Sequence, residues 1–466
     1  MPETWNRQFI EVKTITPVHI GSGQTLTNNA DFVVDKQQVK IPHQKQLADT
    51  LNKMADTMSA EQFAKIESSD KLETITEVIS NFDDVSNCYT TSHLDSQQKL
   101  YEIRAAIKTA FHQPYIPGSS LKGALRSALL SFYRHKLATG EHALPNGKHF
   151  EQAIKGFFGE QPQHDLLRAL KVGDITFVRD SLSLDCARVI SQNKDQQDYE
   201  KKFKNYFEGF KVQVMGYGEI LFDNNLLAIV QRYNQGNRQP VMSRLDNITL
   251  PDDWSSLATI LRCHTLNFIE KEVQLLQGRH MLQHYRQFLQ KLKQRMHDDP
   301  NLVCLQLGYG SGWQGITGDV LTEQEKREAK LGQRYPGFVF PKTRRVNHQG
   351  LPLGWIQLKA VDDQTYQQAL SQASADKPSA PKELTPGEQW LNENLQALAK
   401  QNNADKLQTL RGKQLATAWQ AIEDAELKNS ALEAIKAAWQ EQGWWDKPPG
   451  KASKKAKAIY NEADNA

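Results

Sequence analysis

Long apolar runs are missing from this 466-residue sequence. Nothing approaches the roughly 20 residues that a membrane-spanning helix requires, so no membrane is expected among its partners. The segment Met1–Phe9 has no apolar stretch behind a basic one, so a secretory signal is not expected and the cytoplasm is the expected location. Cysteine is scarce. Cys88, Cys186, Cys263 and Cys304 stand far apart with no Cys-x-x-Cys pair, which argues against a zinc site and a disulfide framework and marks all four as expected buried thiols. No Ser/His/Asp order, His-Glu-x-x-His motif or carboxylate cluster with ligand spacing can be picked out, so no catalytic residue, metal or cofactor is assigned. His280 and His284 share a helical spacing but have no third ligand in view, and read as solvated. Net charge is nearly missing too: +3 at pH 7 gives by itself no reason to expect a polyanionic partner.

What is there is unevenly spread. Pro114–Gly140 has no acidic residue but carries Lys122, Arg126, Arg134 and Lys136, and Ala329–Val361 carries Lys330, Arg334, Lys342, Arg344, Arg345 and Lys359 with no carboxylate. Either these stretches meet an anion, or acidic segments elsewhere neutralise them. The order of elements reads as α+β. A strand is expected over Phe9–Ile15, then a glycine-bearing turn at Thr16–Gly23, then a hairpin in which Phe32–Val34 faces Val39–Ile41. Helical periodicity follows at Gln44–Met58, Ala60–Ile79 and Leu94–Phe111; strand-like runs recur at Leu170–Val178 and Phe210–Phe222; a long helical pattern over Ser255–Met296 breaks near Gly278. Strands close the body at Leu302–Leu307, Gly337–Val346 and Leu353–Val361. After Asp362 the composition shifts to Ala, Gln, Lys and Glu, with a Pro/Ser/Lys linker and then amphipathic helices in which Trp444 and Trp445 close a small core. The run Lys447–Lys457, with five lysines, two prolines and a glycine, reads as a mobile basic tail.

Two units carry chemistry. In Tyr115–Ser127, the small residues Gly118, Ser119 and Ser120 surround an expected helix start, where unpaired N–H groups and the positive end of the dipole suit a phosphate. Lys122 and Arg126, four apart, share a face beside the buried stripe Leu121, Leu125, Ala128, Leu129 and Phe132. Gly123 inside the helix suggests close packing against it, since glycine costs about 1 kcal/mol there against alanine. The second unit, Leu307–Gly318, places Gly308, Gly310, Gly312, Gly315 and Gly318 around Tyr309 and Trp313 without a charge. Such a loop offers backbone N–H groups to an anion and aromatic faces to bases. It lacks the Lys-Ser/Thr ending of a phosphate-binding P-loop, so a nucleotide cofactor is not expected.

Together with Thr16-Pro-Val-His-Ile-Gly-Ser-Gly23, these units resemble the RAMP superfamily of CRISPR-associated proteins, in particular the Csm-type subunit that caps type III-A effectors; Pro341-Lys-Thr-Arg344 and Pro352-Leu-Gly-Trp355 add to the likeness, which covers residues 8–361. The resemblance implies tandem ferredoxin-like (RRM-type) modules with helical insertions, plus a C-terminal helical extension that the family does not account for. The expected division is a first module with a helical insertion over 1–180, a second with the glycine-rich loop over 181–361, a linker over 362–387, a helical extension over 388–446 and a basic flexible tail over 447–466. It also implies binding of the 3′ part of the crRNA, contact with neighbouring backbone RAMP subunits, a share in crRNA maturation alongside host ribonucleases, and RNA contacts at His19, Gly21, Gly23, Gly118, Ser119, Ser120, Lys122, Arg126, the glycine-loop residues, Arg344 and Arg345. Asp31 lies where slicing relatives carry an acid, but its surroundings differ, and slicing is not carried over.

Two other readings stay open. Some RAMP relatives cleave precursor RNA without metal by general acid–base chemistry, for which His19 is the candidate. Alternatively, the chain is a protein-interaction module that binds no RNA. Salt dependence separates these readings, because counterion release makes RNA affinity fall steeply with salt.

Overall fold

The computed structural model describes residues 5–35, 38–42, 85–90, 100–137, 156–159, 161–233, 249–316, 320–321, 341–375, 413–420, 428, 431–433, 435–436, 439–440 and 443–463. The chain divides into two units, 1–376 and 377–466.

A strand hides one side when apolar residues recur at every second position. The opening strand β1 (Trp5–Thr14) does so, burying Ile10, Val12 and Thr14 between the half-exposed Glu11 and Lys13. It lies inside a seven-stranded sheet in the order β14 (Val303–Gln306), β16 (Trp355–Val361), β1, β13 (Met215–Asp223), β9 (Ile175–Phe177), β7 (Tyr115–Ile116), with β8 (Leu170–Val172) also on β13. These pairings are antiparallel. A second sheet runs β11 (Asp198–Glu200), β10 (Leu182–Gln192), β12 (Asn205–Phe210), β6 (Glu102–Ala106), β2 (Gly21–Thr27), with β15 (Arg344–Val346) beside β10. Here β12 and β6 are parallel. The expected hairpin is β3 (Val33–Asp35) with β4 (Gln38–Pro42), extended by β5 (Val85–Thr90). Strands from both sides of residue 180 share each of the larger sheets, so the two halves of this α+β unit interleave.

Helix α1 (Gly118–Leu137) buries its predicted stripe: Leu121, Leu125, Ala128 and Leu129 are fully enclosed in the main core with Ile116, Ile175, Leu257 and Leu261. After α2 (Asn224–Tyr233), helix α3 (Trp254–Leu275) starts where the Asp253 carboxylate accepts from the Ser256 N–H at 2.7 Å. It gives way to α4 (Gln283–Asp298) across Gly278, whose φ of 77° ends the helix where the sequence predicts a break. Tyr285, Leu289, Leu292 and Met296 on α4 build a satellite core with Phe268 and Trp355. A one-turn helix, α5 (Gly312–Ile316), and α6 (Asp363–Ala375) complete the unit.

In the second unit, Trp419 on α7 (Lys413–Gln420) and Tyr460 on α8 (Gly450–Ala463) meet Trp439 in a buried aromatic cluster, Tyr460 standing edge-on to Trp419 at 5.4 Å and to Trp439 at 5.9 Å. Burying each such ring contributes about 1.5–3 kcal/mol. Trp444 and Trp445 pack against this core, as the sequence suggests.

Four expectations are corrected. The helical pattern at Leu94–Phe111 contains strand β6, because Ile103 and Ala105 point into the core between β2 and β12 and sheet pairing overrides the local period. The basic tail is α8: alanine and lysine favour helix, and Ala456 and Tyr460 anchor it by complete burial. Cys186 and Cys304 are buried, but Cys263 is exposed. His280 and His284 are exposed as expected, on separate elements rather than one helix. The helices expected at Gln44–Met58 and Ala60–Ile79 lie outside the described residues, as do Lys330, Arg334 and most of 388–446.

Candidate nucleic-acid interface

The first motif and the glycine-rich loop come together. Beyond β1 the chain passes through Pro17–Ile20, and the Tyr309 N–H donates to the His19 carbonyl at 3.0 Å, while the Gly354 N–H donates to the Pro17 carbonyl at 2.9 Å. A Cβ at Gly308 would stand 2.6 Å from the His19 oxygen, and its φ is 75°, so glycine is required both by space and by conformation. The His19 ring is 3% exposed, Nδ1 lies 2.6 Å from the Glu208 carbonyl, and Phe207 and Tyr309 pack on it at 5.2 and 5.7 Å. Burial pulls its pKa below 6.5, keeping the imidazole neutral. Its ring meets Tyr309 edge-on.

Tyr309 lies on one face of the six-stranded sheet, against Ala187, Phe207 and Leu353. The register puts Arg104 of β6 beside Phe207 and Arg345 of β15 beside Val189, so both exposed arginines rise from the same sheet and lean on Tyr309, at 5.1 and 5.2 Å from the ring centre. Next to Arg104, β2 bulges between Gly21 and Thr25, leaving Gly21 and Gly23 exposed. Behind this face, fully buried Glu208 accepts from the Tyr89 hydroxyl at 2.6 Å, the Ala106 N–H at 2.9 Å and Lys108 Nζ at 2.6 and 2.8 Å. A buried carboxylate held by three partners fixes β6 against β12. The front offers two planar guanidinium groups propped on an aromatic ring, able to donate to phosphate and to stack on bases.

The second motif is built apart, against residues 156–174. The Gly118 N–H donates to Asp174 Oδ1 at 2.7 Å, so a carboxylate of the protein already occupies the expected anion position at the start of α1. Gly118 is needed there, since a Cβ would lie 2.1 Å from the Val172 carbonyl. Ser119 is exposed and the Ser120 N–H donates to the Pro117 carbonyl. Lys122 and Arg126 do share a face, lining a pocket of about 370 Å³ with Gly159, Gln161, Asp165 and Arg168. Arg126 pairs with Asp165 at 2.5 Å and lies over Phe158, and burial lowers the Lys122 pKa although Asp165 opposes the shift. A Cβ at Gly123 would meet nothing within 4 Å, so the close packing expected of this position is absent.

Arg344 is withdrawn from the surface. On β15 side chains alternate, and while Arg345 faces out, Arg344 is 8% exposed, bound through Nε and Nη2 to Glu272 and through Nη1 to the carbonyls of Pro341 and Thr343. Arg134 is buried as well. Gly310 and Gly312 adopt φ of 95° and 72°, Trp313 and Gly315 lie half-buried on α5, and Gly318 falls outside the described residues. Asp31 accepts from the Thr27 N–H, closing a turn. Arg104 and Glu208 were missed because each sits in a strand without a motif, and Lys108 because it stands in an isolated bridge to Pro114 just past β6; the one available signal was the alternation at Ile103 and Ala105 that points Arg104 outward.

The RAMP superfamily model matches residues 11–235. Through that stretch, a little under half of its length, the chain is similar to the RAMP superfamily. It is 25% identical to the CRISPR system protein Csm5 of Streptococcus thermophilus over 35% of this chain and 50% of that one, so the alignment spans half of that relative's length. Among solved structures, it superposes on a chain of a Csm–crRNA–target RNA ternary complex of a type III-A CRISPR-Cas system with a TM-score of 0.58 and 20% identity, covering 76% of this chain and 100% of that one. On the crystal structure of T. onnurineus Csm5 the TM-score is 0.52 at 18% identity, covering 74% and 99%. At these identities the structural matches carry the fold. Among the described residues no helix is long and apolar enough to cross a membrane, and no three His, Cys, Asp or Glu side chains group as metal ligands.

Proposed function

We propose that this RAMP protein is a crRNA-binding structural subunit of a type III-A effector complex, capping the backbone filament at the crRNA 3′ end and assisting crRNA maturation. The observation that carries this reading is the convergence of the Thr16–Gly23 segment and the glycine-rich loop on Tyr309, flanked by Arg104 and Arg345. The similarity to Csm5 and to a chain of a Csm–crRNA complex supports it. In this reading the interleaved sheets are two ferredoxin-like modules, the neighbours are other backbone RAMP subunits, trimming is done by separate ribonucleases, and the site of action is the cytoplasm. The burial of His19 and its hydrogen bond to the Glu208 carbonyl favour positioning over proton transfer, and so a structural subunit over an endoribonuclease.

Contacts run through Arg104, Tyr309, Arg345 and the exposed glycines Gly21 and Gly23, with Lys122 and Arg126 forming a second contact region. They address backbone and base faces, and sequence is read by the guide. The test is purification of tagged chain from its host with sequencing of bound RNA, for wild type and for Arg104→Ala with Arg345→Ala. Wild type should carry short repeat–spacer RNAs with trimmed 3′ ends together with other subunits, and the double variant should lose the RNA. A wild-type protein without RNA, or a double variant that retains it fully, overturns the proposal.

A further inference from the structure

The C-terminal unit carries a charged surface that the proposed crRNA contact on the sheet does not use. From Lys447 to Asn461 the sequence has five lysines and no acid. Helix α8 sorts them by side. At about 100° per residue, Ser453, Ala456 and Tyr460 fall on one face and Lys451, Lys454 and Lys455 on the opposite one. The first three are buried against the tryptophan cluster and the second three are exposed, as is Lys447 just before the helix. Lys457, on the flank, turns back: its Nζ reaches the Trp445 carbonyl and lies 4.6 Å from that ring, which Lys436 approaches to 5.4 Å. The aromatic core thus fixes the rotation of the helix and holds three lysines in one outward row.

We propose that this row, Lys451, Lys454 and Lys455, is a second RNA-binding surface that takes the phosphate backbone of a single strand without reading sequence. Lysine is depleted in the cores of protein–protein interfaces, where arginine is favoured, so a row made of lysine alone fits a phosphate chain better than an acidic protein. The unit lies outside the RAMP match at 11–235, so it adds a contact to a chain whose other RNA surface is on the sheet.

The test uses the full chain and a single-stranded oligouridylate, with affinity measured by fluorescence anisotropy across a salt series. Each lysine–phosphate contact contributes about 0.7 to the log–log salt slope, so Lys451→Ala/Lys454→Ala/Lys455→Ala should flatten it by about 2. The same loss should appear in a Tyr309→Ala background, separating this surface from the sheet, and Lys→Arg at the three positions should keep the slope. The three side chains are exposed, and an unchanged Tm of the alanine variant shows that folding is intact. An unchanged slope in the alanine variant at unchanged Tm, or loss of a co-purifying protein with the slope intact, overturns the proposal.

Discussion

Two regions of this chain set glycine beside cations, and they treat charge in opposite ways. At α1 the protein supplies its own anions: Asp174 accepts from the Gly118 N–H and Asp165 pairs with Arg126. On the sheet, Arg104 and Arg345 lean on Tyr309, and the carboxylate nearby, Glu208, is sealed behind the strands with Lys108. An incoming phosphate must therefore compete with Asp165 at the helix but, among the described residues, meets no such rival at the ring. A glycine-bearing basic motif marks a close approach of backbone; whether a ligand or the protein fills it depends on carboxylates remote in sequence.

The contrast is broken most sharply at neighbouring residues of β15. Arg344→Ala leaves Glu272 buried without its partner and should cost about 3–5 kcal/mol of stability, whereas Arg345→Ala should stay within about 0.5 kcal/mol; urea denaturation of the pair measures both. Arg345→Ala should lower RNA affinity instead. Next in size, Tyr309→Ala removes the prop for both arginines and a stacking surface, with an expected loss of about 1–3 kcal/mol, or roughly 5- to 150-fold in Kd. If Tyr309→Ala is silent while Lys122→Ala/Arg126→Ala abolishes binding, the ranking of the two regions is reversed.

The dry packing beneath the sheet site has a pH signature. His19 is held neutral by burial, so the unfolded chain takes up its proton first as pH falls below about 6.5, and stability drops with a slope of up to about 1.4 kcal/mol per pH unit. Denaturation midpoints between pH 7 and 5 should show this, and His19→Asn should reduce the slope. Asp165→Asn keeps the side-chain acceptor for the Leu167 N–H but releases Arg126. RNA binding should tighten a few-fold and its salt slope steepen by about 0.7. No change would mean that Asp165 does not compete. Smallest, Gly123→Ala adds a methyl where nothing lies within 4 Å and should stabilise α1 by about 0.5–1 kcal/mol in thermal melts.

Much of the fold is legible because its signals are local. The stripe from Leu121 to Leu129, the break at Gly278 and the Val33–Val39 hairpin each follow from periodicity or turn chemistry, and each is present. Strand β6 is not legible, since its partners β2 and β12 lie far away in sequence and supply the order that its own residues do not. The same holds for the site. Tyr309 and the glycines announce themselves by composition, but Arg104 becomes visible only when β6 is placed beside Phe207. Arg344 and Arg345 are indistinguishable as a basic pair until the strand assigns one to Glu272 and the other to solvent.

Strand β1 takes its neighbours from residues 215–223 and 356–361. On a ribosome adding about 5–20 residues per second, β1 waits on the order of tens of seconds for the second of these partners. For that interval it presents an unpaired edge with Ile10 and Val12 uncovered, a template for pairing with another nascent chain. Truncation before residue 356 should therefore be felt first as aggregation.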